Sequence, residues 1–389
     1  MLFDPINIAG IQIEAGIQAK AGIQAKAGIQ AKAGIRNKAG IQIKNRMARS
    51  AVYEKLADAA GNVTEPMLEL YKGLAAGGVG LIITGNALMH LSGMSIPNAL
   101  GIYDDSHVEG LSRLTGAVHA LGGKIVVQVV HGGRQSIPDL LADKTPMAPS
   151  AVYEPLMRVA PREMTEDDIL EMINAFGSAA KRAATAGFDG IQIHGAHGYL
   201  VNEFLSPHTN RRNDRWGGDV ERRSNFPVEV FKAMREASGP DFPILIKINA
   251  DDCLEGGIKP QEALYAVKRL QELGLAAVEV SGGIYEAGVK TAREKILKPA
   301  DEAYYGDAAA LFKKELEIPV MVVGGMRSRA VMQDVLASGK ADMVSLARPL
   351  IREPDLPNKF LQGKEKADCI SCNGCMKFMK LDYVRCVQI

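Results

Sequence analysis

The chain has almost no net charge: 46 lysines and arginines face 45 aspartates and glutamates, leaving +1 over 389 residues. Without a broad field of one sign, neither nucleic acid nor an anionic membrane is an expected partner. No apolar run is long enough to cross a bilayer, and the first residues, MLFDPINIAG, lack a basic segment followed by an apolar one. A soluble, cytoplasmic protein is therefore expected. Cysteine is scarce, and five is an odd number for a disulfide framework; four of the five stand in the last 21 residues, a clustering that suits ligation better than crosslinking. Aromatic residues make up only 5%. Two motifs are also missing: no G-x-G-x-x-G follows the first strand candidate, and no H-E-x-x-H occurs, so the signatures of a doubly wound dinucleotide fold and of a helical zinc site are absent. What is there is a chain 47% hydrophobic, enough for one large core or two modest ones, and small-molecule chemistry is the natural expectation.

The N-terminal region holds a true internal repeat, AGIQIEAGIQAKAGIQAKAGIQAKAGIRNKAGIQIK, a six-residue unit starting at Ala9. Within each AGIQAK unit apolar and polar residues alternate with a period of two, as on an amphipathic hairpin. The pentapeptide AGIQI stands at 9–13 and again at 39–43, so deleting 14–43 rejoins the flanks as INIAGIQIKNRMARS. The stretch reads as an insertion in a loop or hairpin, outside the chemistry.

Beyond Lys44, short β-rich runs alternate with amphipathic stretches eight times, at 46–52, 79–85, 124–130, 188–194, 243–249, 276–282, 319–325 and 341–347. Most are nearly continuous apolar runs, the pattern of parallel strands covered on both faces. Helix starts are marked by Thr64-Glu65-Pro66 and by a Thr165-x-x-Asp168 capping box. The expected fold is α/β, one (β/α)₈ TIM barrel over residues 1–389, with the repeat inserted at 14–43 and a Cys-rich segment at 366–389.

In such barrels chemistry collects at the strand C-termini. Those positions are unusually polar here: Gln128 and His131 after the third strand, His194 and His197 after the fourth, Lys247 and Asn249 at the fifth, Ser281-Gly282-Gly283 after the sixth, Gly324 and Gly325 after the seventh, Arg348 after the eighth. The loop from His131 to Arg162 carries five prolines and has the length of a lid. Gly324 and Gly325 open the helical stretch RSRAVMQDVLASG, where backbone N–H groups and Arg348 can hold a phosphate; a tight turn needing positive φ is the competing reading. Lys247 places a cation in the barrel mouth, a cost that an anionic ligand offsets. His194 and His197 are open to three readings: zinc ligands short of a third partner, core histidines, or hydrogen-bond donors to a substrate oxygen that gains negative charge, with Tyr199 delivering a proton.

HGAHGYLVNEFLSPHTNRRNDRWGGDVERR, residues 194–223, resembles the hallmark segment of the Old Yellow Enzyme family, the FMN-dependent ene-reductases. The resemblance extends through NRMARSA, GGVGLIITG, QVVHGGR, VVGGM and ADMVSLARPLIREPDL. It implies FMN across the mouth of the barrel, with Gln128 and Lys247 at the pyrimidine edge and Gly325 and Arg348 at the phosphate. Ser50, Ala51, Asn86, Gly283, Gly324 and Ala347 complete the cofactor positions. His194 and His197 would hydrogen-bond the substrate carbonyl and Tyr199 would be the proton donor, so that an activated alkene receives hydride and proton, with NAD(P)H or a partner protein as electron donor. A homo-oligomer is expected. The sequence departs from the pattern at Tyr53, where relatives often have Cys or Thr, and at Gly85, read as part of a loop that widens the pocket.

The tail, Cys369-x₂-Cys372-x₂-Cys375-x₁₀-Cys386, resembles the [4Fe–4S] segment of the 2,4-dienoyl-CoA reductase and trimethylamine dehydrogenase branch. That implies a cluster near the FMN; zinc or free thiols fit the spacing as well. Two further functions stay open: flavin-dependent amine dehydrogenation, which wants an aromatic cage that the low aromatic content disfavours, and an electron-transfer, metal-binding subunit with the barrel as scaffold.

Overall fold

The computed structural model describes residues 1–8 and 40–389, apart from the side chains of residues 289, 290 and 378. Most of the repeat, 9–39, lies outside the described residues. Its flanks do not: Ile6–Ile8 pairs antiparallel with Ile41–Ile43, in the register Ile6↔Ile43.

Eight parallel strands close on themselves. They are β1 (Met47–Arg49), β2 (Leu81–Leu88), β3 (Ile125–Val130), β4 (Gly190–Gly195), β5 (Ile244–Asn249), β6 (Ala277–Ser281), β7 (Val320–Val323) and β8 (Met343–Leu346). Each pairs with its sequence neighbour, and β8 returns to β1. All eight expected strands are present, because apolar runs of this length are stable only where both faces are covered, inside by the barrel and outside by helices. The outer helices include α1 (Glu65–Ala76), α2 (Val108–His119), α3 (Glu166–Thr185), α4 (Asn225–Ser238), α5 (Pro260–Glu272), α6 (Gly306–Glu315) and α7 (Arg329–Ala337). Thr64 caps α1, and Thr165 and Asp168 form the reciprocal capping box of α3, as their spacing predicts.

The barrel interior has two distinct ends. At the N-terminal end Ala48, Leu81, Ile83, Val126, Leu245, Ala277, Met321 and Met343 form one apolar cluster, sealed from below by Ile8, Ile41 and Ile43 of the hairpin. Each fully buried isoleucine contributes about 1.5–3 kcal/mol. At the other end the inward positions are polar.

Two expectations need correction. Gly85 is not in a loop: β2 runs on to Leu88, with a register shift against β3 between Ile83 and Asn86. There the Gly85 N–H turns to the buried Glu54 carboxylate at 2.9 Å, and a Cβ would stand 2.0 Å from Glu54 Oε2. The glycine admits Glu54, which also pairs with Arg49 at 2.8 Å; it does not widen the pocket. The loop 131–162 is not a lid either. It is braced internally by the buried Arg134–Glu154 pair and by a short parallel pairing of Met147–Ala148 with Arg162–Glu163, it is tied to the segment after β4 by the Arg134 N–H on Glu203 Oε1 at 2.9 Å and by Gln135 on the His197 carbonyl at 3.0 Å, and it supplies none of the residues lining the mouth.

Candidate active site

A cavity of about 480 Å³ opens at the C-terminal ends of the strands, within the size range of cofactor and ligand pockets. Its wall includes Ser50, Ala51, Asn86, His194, His197, Tyr199, Lys247, Gly325, Ala347 and Arg348. Three other expected cofactor residues stand behind that surface. Gln128 gives its amide N–H to Gln192 Oε1 at 2.7 Å; Gly283 is packed against Thr291, and Gly324 against Tyr304 and Tyr305.

The histidine–tyrosine set is built from β4 and the turn after it. His194 packs edge-on against both His197 (5.3 Å between ring centres) and Tyr199 (4.8 Å). The Ala196 N–H approaches His194 Nδ1 at 3.3 Å, which leaves the proton on Nε2. His197 Nε2 meets Ser281 Oγ at 2.8 Å. Burial first, and Lys247 second, push both imidazoles well below the ordinary histidine range, so both are neutral donors at pH 7. Tyr199 is pushed the other way: burial and the neighbouring Tyr285 phenol, to which it is hydrogen-bonded, keep its proton on far above the usual phenol range.

This turn is strained, with His197 at φ 64° and Gly198 at φ 83°. A non-glycine residue there costs of order 1–3 kcal/mol. It is held by amides: Asn249 Oδ1 accepts the His197 N–H at 3.2 Å, Asn202 Oδ1 accepts the Gly198 N–H at 2.7 Å, and Gln135 donates to the His197 carbonyl at 3.0 Å. Behind them the buried Asp252 carboxylate takes N–H groups from Asn202 (3.1 Å) and Asn249 (2.9 Å) and the hydroxyl of Ser206 (2.6 Å). The second half of the hallmark segment is scaffold. Asn210 binds the carbonyls of Phe204 and Trp216, each at 2.7 Å, and Arg223 caps the Leu205 carbonyl.

At the expected phosphate end, the N–H groups of Arg327 and Ser328 that open α7 already go to Glu302, at 2.7 and 2.8 Å. The Arg329 N–H goes to Glu365 O at 2.8 Å, so these three amides are not available to an anion. Gly325 and Arg348 do line the cavity, and Arg348 reaches Arg293 O at 2.8 Å and Asn373 Oδ1.

Sequence reasoning singled out Ser281 at the end of the sixth strand but missed Tyr285, Tyr304 and the tail as parts of the wall. Tyr285 stands two residues after the SGG turn and was within reach of the same strand-end argument. The tail crosses the mouth: Asn373 Nδ2 binds Ala292 O at 2.7 Å, the Val384 N–H binds Glu54 O at 2.9 Å, and Ser371, Asn373, Cys375, Met376 and Val384 face the cavity. Tyr53 also lines it, its hydroxyl on Pro97 O and its phenol pushed up by burial and by Glu54.

No group of three or more His, Cys, Asp or Glu among the described residues is placed to hold a single metal ion, which removes the zinc reading of His194 and His197. Nor is any helix among them long and apolar enough to cross a membrane. The cavity does fit a flavin: it has the volume, a buried lysine at its floor, and two buried polar atoms without partners, Asn86 Oδ1 and Ser345 Oγ, on residues of its wall.

Known proteins point the same way. The profile of the NADH:flavin oxidoreductase / NADH oxidase family matches residues 35–367. An NADH oxidase of Thermoanaerobacter brockii is 39% identical over 86% of this chain and 52% of its own length. An NADH:acrylate oxidoreductase of Vibrio harveyi is 34% identical over 84% of this chain and 32% of its own. The chain thus spans about half or less of these curated relatives. An Old Yellow Enzyme homologue from Zymomonas mobilis superposes with a TM-score of 0.73 at 28% identity, covering 85% of this chain and 92% of its own. The barrel, the polar mouth and these likenesses together make the chain a member of the NADH:flavin oxidoreductase / NADH oxidase family.

Proposed function

We propose that the protein reduces an activated C=C bond, of the enone or enoate type, with NAD(P)H as the source of electrons and FMN as the bound carrier. The observation that carries this reading is the conjunction of two neutral, buried imidazoles with a phenol that stays protonated, all on one wall of a flavin-sized cavity. When bound, FMN supplies hydride to the β-carbon. Lys247, Ser50 and Asn86 would hold its polar ring edge, and Arg348 and Gly325 its phosphate. His194, with Nε2–H free to donate, and His197 would hydrogen-bond the substrate carbonyl as negative charge builds there, a contact that stabilises the transition state more than the ground state. Tyr199 then gives its proton to the α-carbon, so hydride and proton together saturate the bond. Tyr285 stands next in line to return a proton to Tyr199.

Replacing Tyr199 with Phe tests the assignment. Flavin reduction by NAD(P)H should be unchanged, and reoxidation by an enone should slow by roughly 10²–10⁴-fold. Equal slowing of both half-reactions contradicts it.

The tail cysteines have a separate proposed role, as ligands of a [4Fe–4S] cluster that would pass single electrons to the flavin from a partner protein, as an alternative to hydride from NAD(P)H. Cys369, Cys372, Cys375 and Cys386 line one small recess together with Arg348, and Cys375 also faces the main cavity. A cluster presents a separate iron to each thiolate, so its ligands stand farther apart than those of one ion. Iron and acid-labile sulfide at four each per chain is the expected assay; stoichiometric zinc without sulfide contradicts it.

A further inference from the structure

Below the cavity floor lies a charge that the proposed mechanism does not use. Glu279 on β6 has no solvent exposure. Its Oε2 accepts a hydrogen bond from Gln192 at 3.1 Å, while its Oε1 has no hydrogen-bond partner and stands 3.7 Å from Lys247 Nζ. Lys247 meanwhile donates to Ser50 Oγ at 2.8 Å. The pairing register sets this geometry, because Lys247 lies directly beside Glu279 on one side and His194 on the other.

A buried carboxylate is costly to keep, and an apolar residue would fill this place more cheaply. The opposite end of the same barrel is filled that way. Nor is Glu279 needed to give Lys247 a hydrogen bond, since Ser50 supplies one and the carboxylate stands too far off for another. What Glu279 does supply at 3.7 Å is charge: it offsets the lysine's field at the cavity floor. A flavin gains electron density at its pyrimidine edge on two-electron reduction. An ammonium there favours the reduced form, and a carboxylate just beneath it opposes that preference.

We propose that Glu279 is a redox-tuning residue. By offsetting Lys247 it holds the bound flavin at a lower reduction potential than the lysine alone would set, and so makes it a stronger hydride donor, suited to poor acceptors such as simple enoates. This rests on the reading above in which FMN lies over Lys247.

The test is the midpoint potential of FMN-loaded wild type and Glu279→Gln, measured anaerobically against a reference dye. Gln keeps the shape and a hydrogen bond to Gln192 but carries no charge. At a fixed solution potential the ratio of reduced to oxidised flavin should rise at least tenfold in the variant, a positive shift of about 30 mV for a two-electron couple. Reoxidation by an enoate should slow while reduction by NAD(P)H does not. An unchanged or more negative potential overturns the tuning role and leaves the flavin reading intact; a wild type that takes up no FMN overturns both. Should Glu279→Gln fail to fold or load flavin, Glu279→Asp, which draws the charge back from Lys247, should shift the potential in the same direction by a smaller amount, and no shift there is equally contrary.

Discussion

The two ends of one barrel are made from the same eight strands and filled by opposite rules. At the N-terminal end, alanines, leucines, isoleucines and methionines interlock above the Ile6–Ile8 and Ile41–Ile43 hairpin. Two to four residues further along the barrel strands, the inward positions are Gln128, Gln192, His194, Lys247, Glu279 and Ser281, all buried. The first end needs only volume and apolar surface to be stable. The second places charges and amides where they destabilise the chain unless each is met by a partner, and several are met only incompletely, as at Glu279 Oε1 and Ser345 Oγ. The contrast separates what folds the barrel from what the barrel is for: changes at the polar end should cost activity, and changes at the apolar end should cost stability.

The largest expected effect is at the polar end. Replacing His194 with Leu should slow reoxidation by an enone about 10²–10³-fold, with the melting temperature unchanged or raised, because a buried polar ring is exchanged for an apolar one. Stopped-flow kinetics and a thermal melt on one sample check both halves. Next, Asp252→Asn should loosen the amides that hold His197 and Gly198 in their strained turn, lowering kcat by an order of magnitude while FMN still binds with its normal spectrum. At the other end, Ile43→Ala should cost about 2–5 kcal/mol in denaturant unfolding and leave turnover per folded enzyme as it was.

Acid should act on the polar side of the molecule first. Burial, and after it His90, lowers His131 to about 3, and burial also lowers His194 and His197. A histidine depressed in the fold contributes stability that is complete above its unfolded value near 6.5 and is lost as pH falls below it, at about 1.4 kcal/mol per pH unit for each group. Glu203 and Glu154 run the other way, because burial raises their carboxyls: the unfolded chain releases those protons first, so their contribution grows as pH falls towards 4.5. Three histidines outweigh two glutamates. Unfolding midpoints should therefore drop between pH 6.5 and 4.5, and His131→Asn should make that drop shallower.

The smallest effect is expected from the largest change. Deleting 14–43 brings Ile11–Ile13 to the place of Ile41–Ile43, and the register Ile6↔Ile43 becomes Ile6↔Ile13, closed by Ala9-Gly10 as a two-residue turn. Flavin spectrum and turnover should match the full chain, with stability within about 1 kcal/mol. Loss of flavin binding would show that the repeat supports the polar end, and the division between the two ends would fail.

Much of this was legible in the sequence, for identifiable reasons. The strands were readable because parallel strands covered on both faces are written as apolar runs, and His194, His197, Tyr199 and Lys247 stood out as polar residues where those runs end. Glu279 and Gln192 were equally visible as polar residues inside apolar strands, but their meaning depends on which neighbour they meet across the barrel, and register is not written in one strand. Asp252 was hidden for the same reason: it acts through Asn202 and Asn249, one of them 50 residues away. Gly85 was misplaced because β2 continues past its bulge, and the lid was misassigned because loop length does not show whether bonds such as that of Gln135 to the His197 carbonyl tie the loop down.

The central claim is that the polar end houses a flavin that carries hydride from a nicotinamide donor to an alkene. Its most direct test is one anaerobic cuvette of FMN-loaded protein followed by absorbance. Addition of NAD(P)H should bleach the yellow colour, and subsequent addition of an enone or enoate should restore it stoichiometrically with saturation of the double bond. Protein that takes up no FMN, or a bleached flavin whose colour no activated alkene restores, would contradict the account.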